Sequence, residues 1–123
     1  MILGEIRFSK DEIGRARRLR ASGLHWRPAI GDWYVTDDGF VGVLTGNGDG
    51  LEVSARHTWL PRWSNCREWL RGRGCTQPEF IRDGEADVRV EMRSSSGEFL
   101  SGAGATDRVC LYAIMEALLQ GAR

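Results

Sequence analysis

Residues Val109 to Leu119 are apolar on almost every side of a helix, Glu116 being the exception. A helix of that kind must be covered on several faces, so this segment limits the possible folds more than any other. Thr106 is a good N-cap, Asp107 complements the positive end of the helix dipole, and Gly121 ends the run. No apolar run approaches the ~20 residues a membrane span needs, so the cover is expected to be protein and not lipid. The chain has 123 residues, within the usual size of one domain, and is read as a single domain over 1–123.

Ala86–Arg93 supplies a surface for that helix. Ala86, Val88, Val90 and Met92 alternate with Asp87, Arg89, Glu91 and Arg93, which predicts a half-buried strand. Ser94–Gly97 is a turn, and Glu98–Ser101 begins the pairing strand. Upstream, Ser9-Lys10-Asp11-Glu12 is a capping box, followed by Ile13, Ala16 and Leu19 on one helical stripe and by Gly23 at its end. Residues 2–8 are expected as a short strand or extended arm. Leu24–Asp32, with Pro28 and Gly31, is a loop. Asp32–Thr36, Phe40–Leu44 and Leu51–Ala55 are expected as three strands, joined through Asp37-Asp38-Gly39 and the glycine-rich turn Thr45–Gly50. Pro61 suits the first turn of a helix over 61–71, with Trp63, Cys66 and Leu70 on one face and Trp69 widening it. Residues 75–84 are expected as a loop. The fold class is therefore α+β, a mainly antiparallel sheet with helices packed on it, in the order α-β-β-β-α-β-β-α.

Seventeen basic and seventeen acidic residues cancel, which counts against a dedicated nucleic-acid binder. The distribution is uneven. Residues 1–31 carry seven basic and three acidic side chains, and residues 56–74 carry five and one. Arg15, Arg17, Arg18, Arg20 and Arg27 could meet phosphate, although a solvated basic helix face is the commoner fate of such a run. The opening MILGEIRF lacks a basic region followed by a long apolar stretch, so a secretory signal is not expected. Cys66, Cys75 and Cys110 form no C-x-x-C pair and are read as reduced thiols in a cytoplasmic protein, with Cys66 and Cys110 in the core.

Catalytic and cofactor motifs are weak. Gly102-Ala103-Gly104-Ala105-Thr106 stands where a phosphate cradle would, but Asp107 occupies the third glycine position of a dinucleotide fingerprint, and close strand–helix packing explains the segment. Thr45–Leu51 lacks the first acid and the distant Glu of a calcium loop. Asp32, Asp37, Asp38 and Asp49 are read as solvated turn residues. No metal and no cofactor is expected. His25 or His57 could serve a small enzyme as general base, but neither belongs to a catalytic motif.

Three segments resemble a small, poorly characterised protein type found in phages and prophages. They are His25-Trp26-Arg27-Pro28-Ala29-Ile30-Gly31-Asp32-Trp33, Trp59-Leu60-Pro61-Arg62 leading to Glu68-Trp69-Leu70, and Gly102–Thr106 before a helix with Leu111-Tyr112. The resemblance covers roughly residues 25–119. It implies a mobile-element origin and transfers no catalytic residue.

The five tryptophans point to a surface. Each buries ~200 Å², more than one small core readily absorbs. Trp26 and Trp59 stand near Arg27, Arg56 and Arg62 in the sequence, and aromatic–Arg composition marks binding hot spots. The expected contact residues are Trp26, Arg27, Trp59 and Arg62, with Arg15 and Arg18 if nucleic acid binds. The expected partner is a protein, or a second copy of the chain in a homodimer, with nucleic acid as the alternative and no membrane contact. A non-enzymatic interaction module is the leading expectation.

Overall fold

The computed structural model describes residues 8–46, 50–83 and 87–121. The fold is α+β, with all strand pairs antiparallel. Helix α1 (Lys10–Ala21) leads to strands β1 (Trp33–Val35) and β2 (Val41–Val43), a short helix α2 (Gly50–Arg56) and strand β3 (Thr58–Leu60). Helix α3 (Trp63–Gly72), strands β4 (Glu79–Asp83), β5 (Asp87–Arg93) and β6 (Phe99–Gly104), and helix α4 (Asp107–Gly121) follow. The expected order is present, with α2 and β4 added to it.

Two local expectations are corrected. Leu51–Ala55 is helical, not a strand. Five alternating residues do not distinguish the two periods, and a helix here brings Glu52 and Arg56 together at 3.4 Å. The third strand is Thr58–Leu60, which pairs with β1 as Trp33↔Leu60 and Val35↔Thr58. Residues 79–83, expected as loop, form an edge strand beside β5. The strands also form two three-stranded sheets, β2-β1-β3 and β4-β5-β6, in place of one. The expected arm at 2–7 and most of the glycine-rich turn, 47–49, lie outside the described residues.

Helix α4 is the centre of the molecule. It packs on β5 and β6 and contacts α1 and α3, while α1 also contacts β3. Leu19, Val35, Leu60, Cys66, Leu70, Val90, Leu111, Tyr112 and Met115 are all buried in one cluster. Gly102 and Gly104 permit the close approach: a Cβ at Gly102 would overlap the Cys110 carbonyl oxygen, and one at Gly104 would overlap the Val109 side chain. That is the packing role expected for this glycine pair.

Polar groups fix the helices. The capping box is formed, with Ser9 N donating to Glu12 at 2.8 Å and Glu12 N donating to the Ser9 hydroxyl at 3.1 Å. Glu12 is 1% exposed. Its carboxylate also accepts from Arg108 Nε at 2.7 Å and from the Thr106 hydroxyl at 3.1 Å, so it joins the N-termini of α1 and α4. The Tyr112 hydroxyl donates to the Pro61 carbonyl, and burial pushes its pKa well above the usual phenol range. No helix among the described residues is long and apolar enough to cross a membrane.

Candidate binding groove

Sheet β2-β1-β3 has two different faces because successive side chains point to opposite sides. Val35, Thr58 and Leu60 are buried on the core side. Tyr34 and Trp59 lie opposite each other on the other side. A Cβ at Gly42 would stand 2.6 Å from the Tyr34 hydroxyl oxygen, so glycine is what lets the Tyr34 ring lie across β2. Tyr34 stacks on His57 with centroids 5.5 Å apart, and Trp59 stacks on Trp26 at 6.2 Å with the planes 1° from parallel.

The loop between α1 and β1 is held over this aromatic row by one carboxylate. Asp32 accepts from Trp26 Nε1 at 2.9 Å and from Ala29 N at 3.0 Å. Leu44 N donates to Asp32 O at 2.8 Å, and Gly31 N donates to Leu44 O at 2.9 Å. These bonds leave Arg27 and Ile30 projecting outward, both exposed.

Three cavities meet at that loop. An apolar cleft of about 650 Å³ is walled by Pro28, Ile30, Leu44 and Leu51. A second cleft of about 650 Å³ is walled by Arg27, Trp59, Asn65, Glu68, Trp69 and Arg73. A smaller cavity of about 230 Å³ contains Arg20, His25, Ser54, His57 and Trp59. His25 lines all three, and Arg27 and Ala29 line both large clefts. Adjoining through these shared residues, they form a grooved surface, apolar at one end and aromatic with Arg27, Arg73 and Glu68 at the other. Ile30 and Leu51, at 78% and 80% exposed, are the most exposed large hydrophobic residues described, and both stand on the apolar end. The Arg73 guanidinium lies 4.3 Å over the Trp69 ring at the other end.

The expected contact residues separate on this geometry. Arg27 is exposed in both clefts, and Trp59, half-buried, lines the second. Trp26 is only 8% exposed, so it forms the floor and not the contact surface expected of it. Trp33, Trp63 and Trp69 are half-buried, so no tryptophan stands fully out in solvent. Two guanidinium groups shield indole faces, Arg73 on Trp69 and Arg67 on Trp63 at 4.8 Å. Arg62 caps α3 from its backbone, its N donating to Asn65 Oδ1 at 2.9 Å, and it lines neither large cleft.

The basic face of α1 is engaged inside the molecule. Arg18 donates from Nε and Nη2 to Glu116 Oε1 at 3.2 and 3.0 Å. Arg17 reaches Thr36 O at 3.1 Å, Arg20 reaches Ala55 O at 3.0 Å, and Arg15 stands 3.7 Å from Asp11. Among the acids, Asp32 is buried in its loop, and Asp38 accepts from the Thr36 hydroxyl, which holds its carboxyl below the usual range. No three His, Cys, Asp or Glu side chains among the described residues gather to hold a metal. The histidines share a cavity, but the Ser54 hydroxyl beside them donates to Leu51 O at 3.0 Å and not to an imidazole.

Several groove residues were not singled out by sequence reasoning. Ile30 carries a signal in hindsight, being a large aliphatic residue in a Pro- and Gly-flanked loop, outside any periodic pattern. Leu51 falls in a stretch whose alternation reads as a strand, and Trp69 and Arg73 are brought to the site by the turn of α3. Comparison with protein-family models, curated proteins and solved structures returns no match.

Proposed function

We propose that this chain is a non-enzymatic interaction module that holds an extended segment of a protein partner in the groove crossed by the Arg27 loop. The observation that carries this reading is the continuity of an apolar cleft, bearing the exposed Ile30 and Leu51, with an aromatic–arginine cleft through shared lining residues. A segment with an aliphatic residue at one end and, at the other, an acidic group set toward Arg27 and Arg73 and away from Glu68 complements both halves. Trp59 and Trp69 supply large rigid contact area of the kind that dominates interface energetics. The engagement of Arg17, Arg18 and Arg20 within the molecule makes nucleic acid the weaker partner. Free Cys66, Cys75 and Cys110 suit a reducing cytoplasmic setting. The resemblance to phage and prophage proteins supports a mobile-element origin and adds no residue role.

The test is selection of displayed random peptides on the full chain, followed by calorimetric titration of the recovered sequences. Ile30→Asp and Leu51→Asp alter exposed side chains and should leave the fold intact while weakening binding at least about tenfold, or about 1.4 kcal/mol. Peptides that bind both variants as well as the wild type, or none recovered, would refute the reading. A concentration-dependent dimer abolished by the same two variants would put a second copy of the chain in the groove. Retardation of DNA at low salt, lost with Arg27→Ala, would favour nucleic acid.

A further inference from the structure

The small cavity beneath the groove has a chemistry of its own. The residues that line it include Arg20, His25, Ser54, His57 and Trp59, and none of its described lining residues is acidic. Arginine and indole nitrogens only donate. Ser54 already gives its proton to Leu51 O.

Trp59 Nε1 and His57 Nδ1 are buried and have no hydrogen-bond partner among the described residues. Buried polar atoms in native proteins are nearly always paired, and an unpaired one costs ~1–3 kcal/mol. Here two occur together. Tyr34, which stacks on His57, lies opposite Trp59 across β1 and β3, so the two residues stand on the same face of the sheet. Trp59 is stacked on Trp26, and His57 on Tyr34. Both unpaired atoms therefore belong to residues that line a space of about 230 Å³, room for a small polar group and not for a chain.

We propose that this cavity is a carboxylate site, in which the Trp59 indole N–H, a donating His57 Nδ1 and the spare N–H groups of Arg20 bind an anionic carboxyl group. Resting on the groove reading above, that group is an acidic side chain or chain-terminal carboxylate of the bound segment, reaching in past His25, which lines the cavity and both clefts. A carboxylate supplies acceptors to every donor present and charge to a cavity whose described ionisable lining groups are basic.

The test uses the ¹⁵N-labelled full chain, in which the Trp59 indole N–H is an assignable resonance. Sodium acetate should move that resonance saturably, and acetamide at equal concentration should not. In the peptide arm, replacing the acid of a selected peptide by its amide should weaken wild-type binding about tenfold or more. The same replacement should weaken binding to Trp59→Phe and His57→Phe less than threefold, because those variants keep a ring but lose the donor. Equal response to acetate and acetamide marks a water-filled cavity and overturns the proposal, as does an unmoved Trp59 resonance. Selected peptides that bind acid and amide alike overturn it while leaving the groove reading in place. If no peptide binds but acetate moves the Trp59 resonance, the carboxylate site stands as a small-molecule site and the groove reading falls.

Discussion

Removing the charge of Glu12 should destabilise the fold more than any change on its surface. The Glu12 carboxylate is 1% exposed and accepts from Ser9 N, the Thr106 hydroxyl and the Arg108 guanidinium, the last at 2.7 Å from Nε and 3.2 Å from Nη2. Arg108 is largely covered as well, with its guanidinium 4.2 Å over the Phe8 ring. Glu12→Gln keeps the shape but turns an amide NH₂ toward donors and removes the Glu12 charge from a covered guanidinium. Breaking a buried pair from one side costs about 3–5 kcal/mol. With a urea m-value of about 1.5 kcal/mol/M, the unfolding midpoint should fall by about 2–3 M. Replacing both partners, Glu12→Leu with Arg108→Leu, should recover at least half of that loss, because the Arg108 charge is then removed together with the Glu12 carboxylate. Salt at 0.5 M should change the Glu12→Gln difference little, since burial limits screening. The measurement is urea unfolding followed by circular dichroism on the wild type, Glu12→Leu, Arg108→Leu and their double variant, with Glu12→Gln beside them. A Glu12→Gln cost below about 1 kcal/mol, or a coupling to Arg108 within about 0.5 kcal/mol of zero, would refute the claim that this carboxylate joins α1 to α4.

Three further outcomes follow from the same packing. Gly102→Ala should cost about 1–3 kcal/mol in thermal unfolding, because its Cβ meets the Cys110 carbonyl oxygen and stands 3.2 Å from Ile114 Cγ1; 10 mM phosphate should leave the wild-type melting temperature unchanged. Burial pushes all three thiols up, with Arg73 offsetting part of the effect at Cys75, so iodoacetamide at pH 7.5 should label the half-buried Cys75 slowly and the buried Cys66 and Cys110 only after unfolding, as read by peptide mass. Asp32→Ala should cost about 2–4 kcal/mol and weaken peptide binding, because Trp26 Nε1 and Ala29 N lose their acceptor and the loop loses its anchor.

The parts legible in the sequence are those where local chemistry and packing demand the same answer. Ser9 and Glu12 announce a helix start by residues three apart, and the cap forms as written. The alternation over 88–93 identifies the strand under α4, because only one face of that sheet meets the core. Residues 51–55 misled because the helix there buries no side chain, so the hydrophobic pattern had no core to report on. Edge strand β4 has Phe80 and Ile81 adjacent instead of alternating, and its pairing depends on β5 and not on its own pattern. The division into two sheets is set by long-range pairing that no short window contains. At the groove, indole count pointed to the loop that carries Trp26 but gave that ring an exposed place, whereas it is buried. Its N–H has a carboxylate six residues away, Asp32, and that bond draws the ring inward. The sequence distance was visible, but its consequence depended on Trp59 arriving from β3 to stack on it.

The central claim is that the surface around the Arg27 loop is where this chain meets its partner. The most direct measurement is the spectrum of its five indole N–H resonances during titration with a selected peptide. Trp59 and Trp69, which wall the aromatic cleft, should shift together and saturate at the calorimetric affinity, while Trp33 and Trp63, which line neither large cleft, should stay in place. Shifts confined to Trp33 and Trp63, or no shift at saturating peptide, would place the contact elsewhere and contradict the account.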